Sequence, residues 1–303
     1  MENLKEKKYW IWFSLIKNLG PKRKIKLLDL YKNPEKIYNL TKEELLKIEG
    51  IGEETVNNIL NSKNKKMLDY HIKYMEENSI DIIHIYEENY PHSLKQIYDP
   101  PISLYVKGNK EILSNKNIGI VGCRECTEYG KKAAKYFSYN LTKQNINIVS
   151  GLARGVDSYA HLGCLSTYYE NKNSGKANYN YGKTIAVVAN GLDTIYPKEN
   201  FELANQIIES GGVIVSEYPC GTKPDKLNFP ARNRIISGIS SGIIVVEAKQ
   251  KSGTLITVDF ALEQGREVFV VPGNINAINS VGTNDLIKQG AKLVTCYQDV
   301  LNC

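Results

Sequence analysis

From Lys116 onward the chain repeats one unit, a short and almost wholly apolar run followed by a polar or helix-length segment. The runs are Ile118–Val121, Ile146–Val149, Thr184–Val188, Val213–Val215, Ile243–Val246, Val268–Val271 and Lys292–Val294. Runs that are apolar at successive positions, rather than at alternate ones, suit strands covered on both faces. Helix-length segments such as Tyr129–Lys143, Phe201–Glu209 and Leu255–Glu263 lie between them. Strands joined by helical crossovers run parallel, so the pattern predicts an α/β fold with a doubly wound, mostly parallel, Rossmann-like sheet. Two further short strands, Asp81–Tyr86 and Ser103–Lys107, flank a connection through Pro91, Pro100 and Pro101. Only Asn171–Gly182 (NKNSGKANYNYG) breaks the rhythm, and its polar, Gly- and Asn-rich composition predicts a mobile loop.

Up to Ser79 the periodicity is helical throughout and falls into two similar halves. Trp10, Phe13 and Ile16 lead to Leu19-Gly20-Pro21, after which Ile25, Leu27, Leu28 and Tyr31 recur at helical spacing. Thr41 reads as an N-cap, with Glu43 and Glu44 in the first turn, where carboxylates favour the helix dipole. Ile48-Glu49-Gly50-Ile51-Gly52 then precedes a helix carrying Val56, Ile59 and Leu60. The chain is longer than one hydrophobic core usually serves, which predicts a small all-α domain over 1–79 and a larger α/β domain over 80–303.

No apolar run approaches the roughly 18 residues of a membrane span. The first residues, MENLKEKKYWIWFSL, contain no secretory h-region or small-residue cleavage site. A cytoplasmic protein without membrane contact is expected. The formal charge of +6 permits a polyanionic partner without demanding one. Six scattered cysteines in such a chain read as thiols rather than disulfides.

In an open parallel sheet the working surface lies beyond the C-terminal strand ends. Five such ends carry unusual residues: Gly122-Cys123-Arg124, the loop Ser150 to Gly155, Asn190 to Asp193, Glu247-Ala248-Lys249 and Pro272-Gly273-Asn274. In the second, Ser150, Gly151, Ala153 and Gly155 keep bulk low before a helix starting near Asp157, so that backbone N–H groups could approach a phosphate. The plainer reading is a tight strand–helix turn. Arg124 and Arg154 favour the anion, since a guanidinium matches phosphate oxygens bidentately. A second stretch combines a basic, Pro-containing loop ending at Lys226 with Phe229 and the cluster Arg232-Asn233-Arg234 at a helix start. Those are the parts of a single-stranded nucleic acid groove, although Phe229 could equally be core.

Other chemistries find no support. Neither G-x-G-x-x-G nor G-x-x-x-x-G-K-[ST] occurs, and Gly50-Ile51-Gly52 is followed by Thr55 where a third glycine would stand, so no nucleotide cofactor is expected. Cys123-x-x-Cys126 lacks a second ligand pair, which removes a zinc site. His161 reads as a core or loop-bracing histidine, and no Ser/His/Asp grouping or carboxylate pair stands at a catalytic spacing.

The succession IVGCREC, VSGLARGVDSYAH, TIAVVANGLDTIYP, GGVIVSEYP, NFPARNRIISGIS, GIIVVEAKQKSGTLIT, EVFVVPGNI and GTNDLIKQGA resembles the DNA-processing protein A (DprA/Smf) family in order and spacing across Asp81 to Val300. The resemblance implies an extended Rossmann fold without enzymatic activity, cofactor or metal. Such a protein would bind single-stranded DNA, dimerise and load the RecA recombinase during natural transformation. By motif, Arg124 corresponds to a phosphate-binding arginine, Lys226 to a groove lysine and Phe229 to a base-contacting aromatic. Ser150, Gly151, Leu152, Ala153, Arg154, Arg232, Asn233, Arg234, Ser252 and Gly253 would complete the pocket. The N-terminal hairpins resemble a SAM-like helix-hairpin-helix domain. Cys123 departs from the family's usual serine, and the 171–182 insertion has no counterpart in the common pattern. The winged-helix module that many relatives carry is not expected after Cys303. The competing reading is a phosphoribohydrolase-like enzyme with Glu247 and Asp193 as acids, against which stands the missing P-G-G-x-G-T-x-x-E signature. A third is an interaction scaffold in which partner contact dominates over DNA.

Overall fold

In a computed structural model, the described residues are 4, 7–174 and 181–302. Six helices come first: α1 (Lys8–Leu15), α2 (Pro21–Tyr31), α3 (Pro34–Tyr38), α4 (Lys42–Leu46), α5 (Glu53–Asn61) and α6 (Lys65–Glu77). Their ends follow local chemistry. Pro21 opens α2, where its missing N–H costs nothing. Thr41 and Glu44 form a reciprocal capping box at α4.

The remainder is one nine-stranded sheet with its helices. The strands are β1 (Asp81–His84), β2 (Ser103–Gly108), β3 (Asn117–Val121), β4 (Asn147–Ser150), β5 (Thr184–Val188), β6 (Val213–Ser216), β7 (Gly242–Val245), β8 (Glu267–Val270) and β9 (Lys292–Leu293). The helices are α7 (His92–Lys95), α8 (Glu128–Lys143), α9 (Val156–Ser174), α10 (Phe201–Glu209), α11 (Asn228–Ile239), α12 (Gly253–Glu263), α13 (Val281–Lys288) and α14 (Gln298–Leu301). The spatial order is β1-β2-β6-β5-β4-β3-β7-β8-β9. Strands β3 to β9 pair in parallel. Strands β1 and β2 extend the edge antiparallel, with Tyr105 opposite Ser216 in the register of β2 on β6. The order advances from β3 to β6 on one side and from β7 to β9 on the other, so the topological switch falls between β3 and β7.

Both faces of the parallel strands β3 to β8 are covered, as their unbroken apolar runs require, while the edge strand β9 is exposed. Ile118, Ile120, Ile244 and Phe269 share a cluster with Ala134, Phe137 and Leu141 of α8 and Ala160 of α9. Their strand neighbours Ile243, Val245, Val268 and Val270 join Ile235, Ile236 and Ile239 of α11 and Val258 and Ala261 of α12. This second cluster continues into the first six helices through residues such as Ile11, Trp12 and Phe13. Trp10 stacks on His84 with centroids 4.0 Å apart and planes 10° apart, and the Lys7 ammonium donates to Ile82 O at 2.7 Å.

Two expectations change. The segment Asn171–Ser174 forms the last turn of α9 rather than loop. No helix breaker occurs in it until Gly175, and extending an established helix is easy once it is nucleated. Residues 175–180 of the expected mobile loop, like Cys303, lie outside the described residues. Strand β1 also stops at His84 and not at Tyr86, because the N–H of Glu87 turns back to His84 O at 2.8 Å. Among the described residues no helix is long and apolar enough to cross a membrane.

Candidate nucleic-acid interface

A cleft of about 700 Å³ opens at the C-terminal end of the sheet, around the loop after β3 and the first turns of α11 and α12. It lies at the topological switch, where the loops after β3 and β7 diverge. Arg124, exposed after β3, carries its guanidinium carbon 5.2 Å from the centroid of the half-buried Phe229 ring in the first turn of α11. Tyr196, from the loop after β5, meets Phe229 at 5.7 Å with the ring planes 48° apart. Lys226 and Lys249 complete the basic lining, and Lys249 pairs at 3.5 Å with Glu125 across the mouth.

The floor is Arg232, which is buried. Its Nη1 donates to Gly151 O at 2.7 Å and to Val187 O, and its Nε donates to Asn233 Oδ1 at 3.2 Å. Burial pulls this guanidinium down to about 10, Arg124 adds to the depression and Asp157 opposes it, so Arg232 remains charged at neutral pH. It is a fixed cation beneath the cleft, set against the Asp157 carboxylate.

The small-residue loop departs from its anion-binding expectation. The Asp157 carboxylate accepts from the N–H of Gly151 at 3.1 Å and of Ala153 at 3.4 Å. These donors, which the sequence offers to a phosphate, are engaged by the protein's own anion. Gly151 is required because a Cβ there would stand 2.6 Å from both Arg232 Nη1 and Asp157 Oδ2. Gly155 is required for a second reason: its φ is +75°, and a Cβ there would stand only 2.2 Å from Cys123 O. Desolvation raises the Asp157 pKa, with Arg232 and the loop hydrogen bonds resisting the rise.

The thirteen residues singled out in the sequence therefore separate. Arg124, Ala153, Lys226, Phe229, Arg232, Asn233, Ser252 and Gly253 all line the cleft. Asn233 Nδ2 reaches Gly253 O at 3.4 Å, while Ser252 Oγ is buried without a hydrogen bond among the described residues. Ser150, Gly151, Leu152, Arg154 and Arg234 are not among its lining residues. Ser150 Oγ donates to Ile120 O at 2.7 Å, and Leu152 is wholly buried at a φ of +55°. Arg154 pairs with Glu199 at the surface. Arg234 is buried, its Nη2 donating to both carboxylate oxygens of Glu217 at 2.8 and 2.7 Å, and its Nε lies 3.1 Å from Asp99 Oδ2. Two residues along a helix are about 200° apart, so Arg232 and Arg234 cannot serve one surface.

The acids of the hydrolase reading are also committed elsewhere. Glu247 is buried and accepts from Thr127 N at 2.9 Å and Thr127 Oγ1 at 2.5 Å, holding the start of α8. Asp193 Oδ1 accepts from Gly221 N at 2.8 Å. Burial pushes the thiols of Cys123 and Cys126 up, away from the reactive thiolate form. His161 is buried, with Nδ1 2.6 Å from Thr184 Oγ1, as a core histidine would be. Residue-level reading of the sequence missed Tyr196, Lys249 and Asp157 as parts of this site. Lys249 stood in a strand end already singled out, Asp157 marked the expected helix start, and Tyr196 followed the Asn190–Asp193 strand end by a few residues.

Comparison with known proteins agrees with this architecture. The family described as DNA recombination-mediator protein A matches residues 81–303, and the SAM-like helix-hairpin-helix tandem matches residues 14–62. DNA processing protein DprA of Bacillus subtilis is 44% identical over 225 residues, covering 74% of this chain and 71% of its own length. The Streptococcus pneumoniae protein of the same name is 44% identical over 217 residues, covering 72% of each. The X-ray structure of DprA from Streptococcus pneumoniae superposes with a TM-score of 0.81 at 36% identity, over 97% of both chains. A Helicobacter pylori DNA processing protein A structure, described as giving a single-stranded DNA binding mode, matches with a TM-score of 0.63 at 32% identity, over 74% of this chain and 94% of that one. The chain belongs to the DNA recombination-mediator protein A family.

Proposed function

We propose that this protein binds single-stranded DNA in the cleft at the switch between β3 and β7. The observation that carries the reading is the Arg124–Phe229–Tyr196 group beside Lys226, which joins exposed cations to aromatic rings that line the cleft. Arg124 and Lys226 meet phosphates, Phe229 stacks a base, and Arg232 supplies a fixed charge from below. Such contacts read backbone charge and π-faces, so binding is tolerant of sequence and sensitive to salt. The likeness to the Helicobacter pylori protein supports the same ligand class. Within this reading the chain is a binding protein and not an enzyme. It works in the cytoplasm as a homodimer and hands the strand to RecA during DNA uptake, with 1–79 and 80–303 as its two domains.

The test is a salt-titrated comparison of labelled oligo-dT with duplex DNA. Single strands are expected to bind more tightly, and Arg124→Ala or Lys226→Ala is expected to weaken binding and to reduce the log–log salt slope by about 0.7 each. Undiminished binding in both variants would remove the site assignment. RecA delivery is tested separately, by RecA pull-down with and without DNA. Release of free base from nucleoside monophosphates would instead favour the hydrolase.

A further inference from the structure

The reading above gives Phe229 a base to stack and assigns no separate role to the aromatic ring beside it. Tyr196 lines the same cleft and is 43% exposed. We infer that Tyr196 is a second base-stacking residue, and that the cleft holds two neighbouring bases of the strand splayed apart, one on Phe229 and one on Tyr196. This inference rests on the single-stranded DNA reading and names how that ligand is held.

The ring geometry carries the argument. With centroids 5.7 Å apart and planes 48° apart, the two faces diverge. A base sandwiched between two rings needs them parallel and about 7 Å apart, twice a stacking distance of roughly 3.4 Å, so this pair cannot share one base. Each ring can take its own. Two successive bases lying on planes so inclined have lost their mutual stacking, a state open to a flexible single strand and closed to a base-paired duplex. The wedge therefore adds selectivity for single strands to a cleft whose charges alone would accept either.

The Tyr196 loop is also held ready. At its start, the buried Asn190 donates to Gly191 O at 2.9 Å and to Thr194 O at 2.5 Å. Asp193 ties it to the next strand-end loop through Gly221 N. At its end, Asn200 Nδ2 donates to Leu152 O at 2.9 Å and to Ser158 Oγ at 3.0 Å. An aromatic fixed in this way contributes contact area at little cost in conformational entropy. The ring stays exposed beside Phe229 although its neighbour Pro197 is buried.

The experiment is a double-mutant cycle on oligo-dT binding by fluorescence anisotropy, with Tyr196→Ala, Phe229→Ala and the pair, and with Tyr196→Phe as the conservative control. Each alanine is expected to weaken binding about tenfold, within the range for one base–aromatic stack, and the pair about a hundredfold. Tyr196→Phe is expected to stay within about twofold, because the ring and not the hydroxyl does the stacking. Two adjacent 2-aminopurines in the strand report the splay directly: the wild type should abolish their exciton circular-dichroism couplet, and Tyr196→Ala should leave it. Thermal melting checks that the variants are folded. A pair no weaker than Phe229→Ala alone would overturn the inference, because both rings would then serve one base. Unchanged binding in Tyr196→Ala, with Arg124→Ala and Phe229→Ala both weakened, would overturn it while leaving the cleft as the DNA site. Unchanged binding in all of these variants would overturn both.

Discussion

Arg232 and Arg234 stand two positions apart in one Arg-Asn-Arg cluster, yet they do opposite things. Arg232 turns into the floor of the cleft and satisfies two backbone carbonyls. Arg234 turns to the other side and is consumed by Glu217 and Asp99. Removing one partner from a buried ion pair leaves the others uncompensated, at a cost of about 3–5 kcal/mol. Arg234→Ala is therefore expected to lower the urea midpoint sharply while the protein that remains folded keeps its oligo-dT affinity. A loss of affinity without a loss of stability would return Arg234 to the DNA site. Residue chemistry in the sequence singled out the cluster as one group, and helical phase, which acts only once α11 is docked, divided it. Asp157 teaches the same lesson, since nothing in its spacing says whether a loop of N–H donors is filled by a ligand or by a side chain.

At the scale of elements, the loop from Gly151 to Gly155 and helix α9 behave as one piece. Asp157 joins them by accepting two loop N–H groups beside Arg232. Orphaning buried donors and a buried cation together costs about 3 kcal/mol. Asp157→Ala should accordingly unfold at lower urea with an unchanged m-value. An unchanged midpoint would show that the loop is held by other contacts. The same helix carries an acid-sensitive group. Burial, and then Arg232, pull His161 down to about 3 from a usual value near 6.5. Between those values the unfolded chain binds a proton that the folded protein refuses, so this contribution is complete above pH 6.5 and erodes as pH falls toward 3. His161→Gln should flatten the decline of stability over that window relative to the wild type. Identical pH slopes would rule His161 out as its source. The strands, and helix starts such as Thr41 before α4 and Phe201 at α10, were legible from local period and capping chemistry. The last turn of α9 was not, because polar composition reads as loop whether or not a helix is already running into it.

The whole molecule joins two segments that the sequence separates. The apolar cluster under α11 and α12 continues into the first six helices, and Trp10 is packed against His84 at the start of the sheet. Truncating a buried Trp costs about 3–5 kcal/mol. Trp10→Ala should lower the melting temperature of the entire chain, with wild type and variant each melting in one calorimetric transition. Two separated transitions in the wild type would show that the N-terminal helices fold independently of the sheet.

What the sequence determined by itself was the strand–helix alternation and a partial inventory of strand-end residues, without Tyr196. Apolar runs, caps and strand-end residues are set by neighbours within a few positions, and they report on themselves. The tertiary structure alone decided which members of that inventory meet. Arg124, Tyr196 and Phe229 come from the ends of β3, β5 and the start of α11, and they converge only because strand order brings these ends to one side of the switch. Whether a guanidinium faces a cleft or a carboxylate, and whether a loop of amides holds a phosphate or Asp157, depends on contacts distant in sequence. No local pattern encodes them.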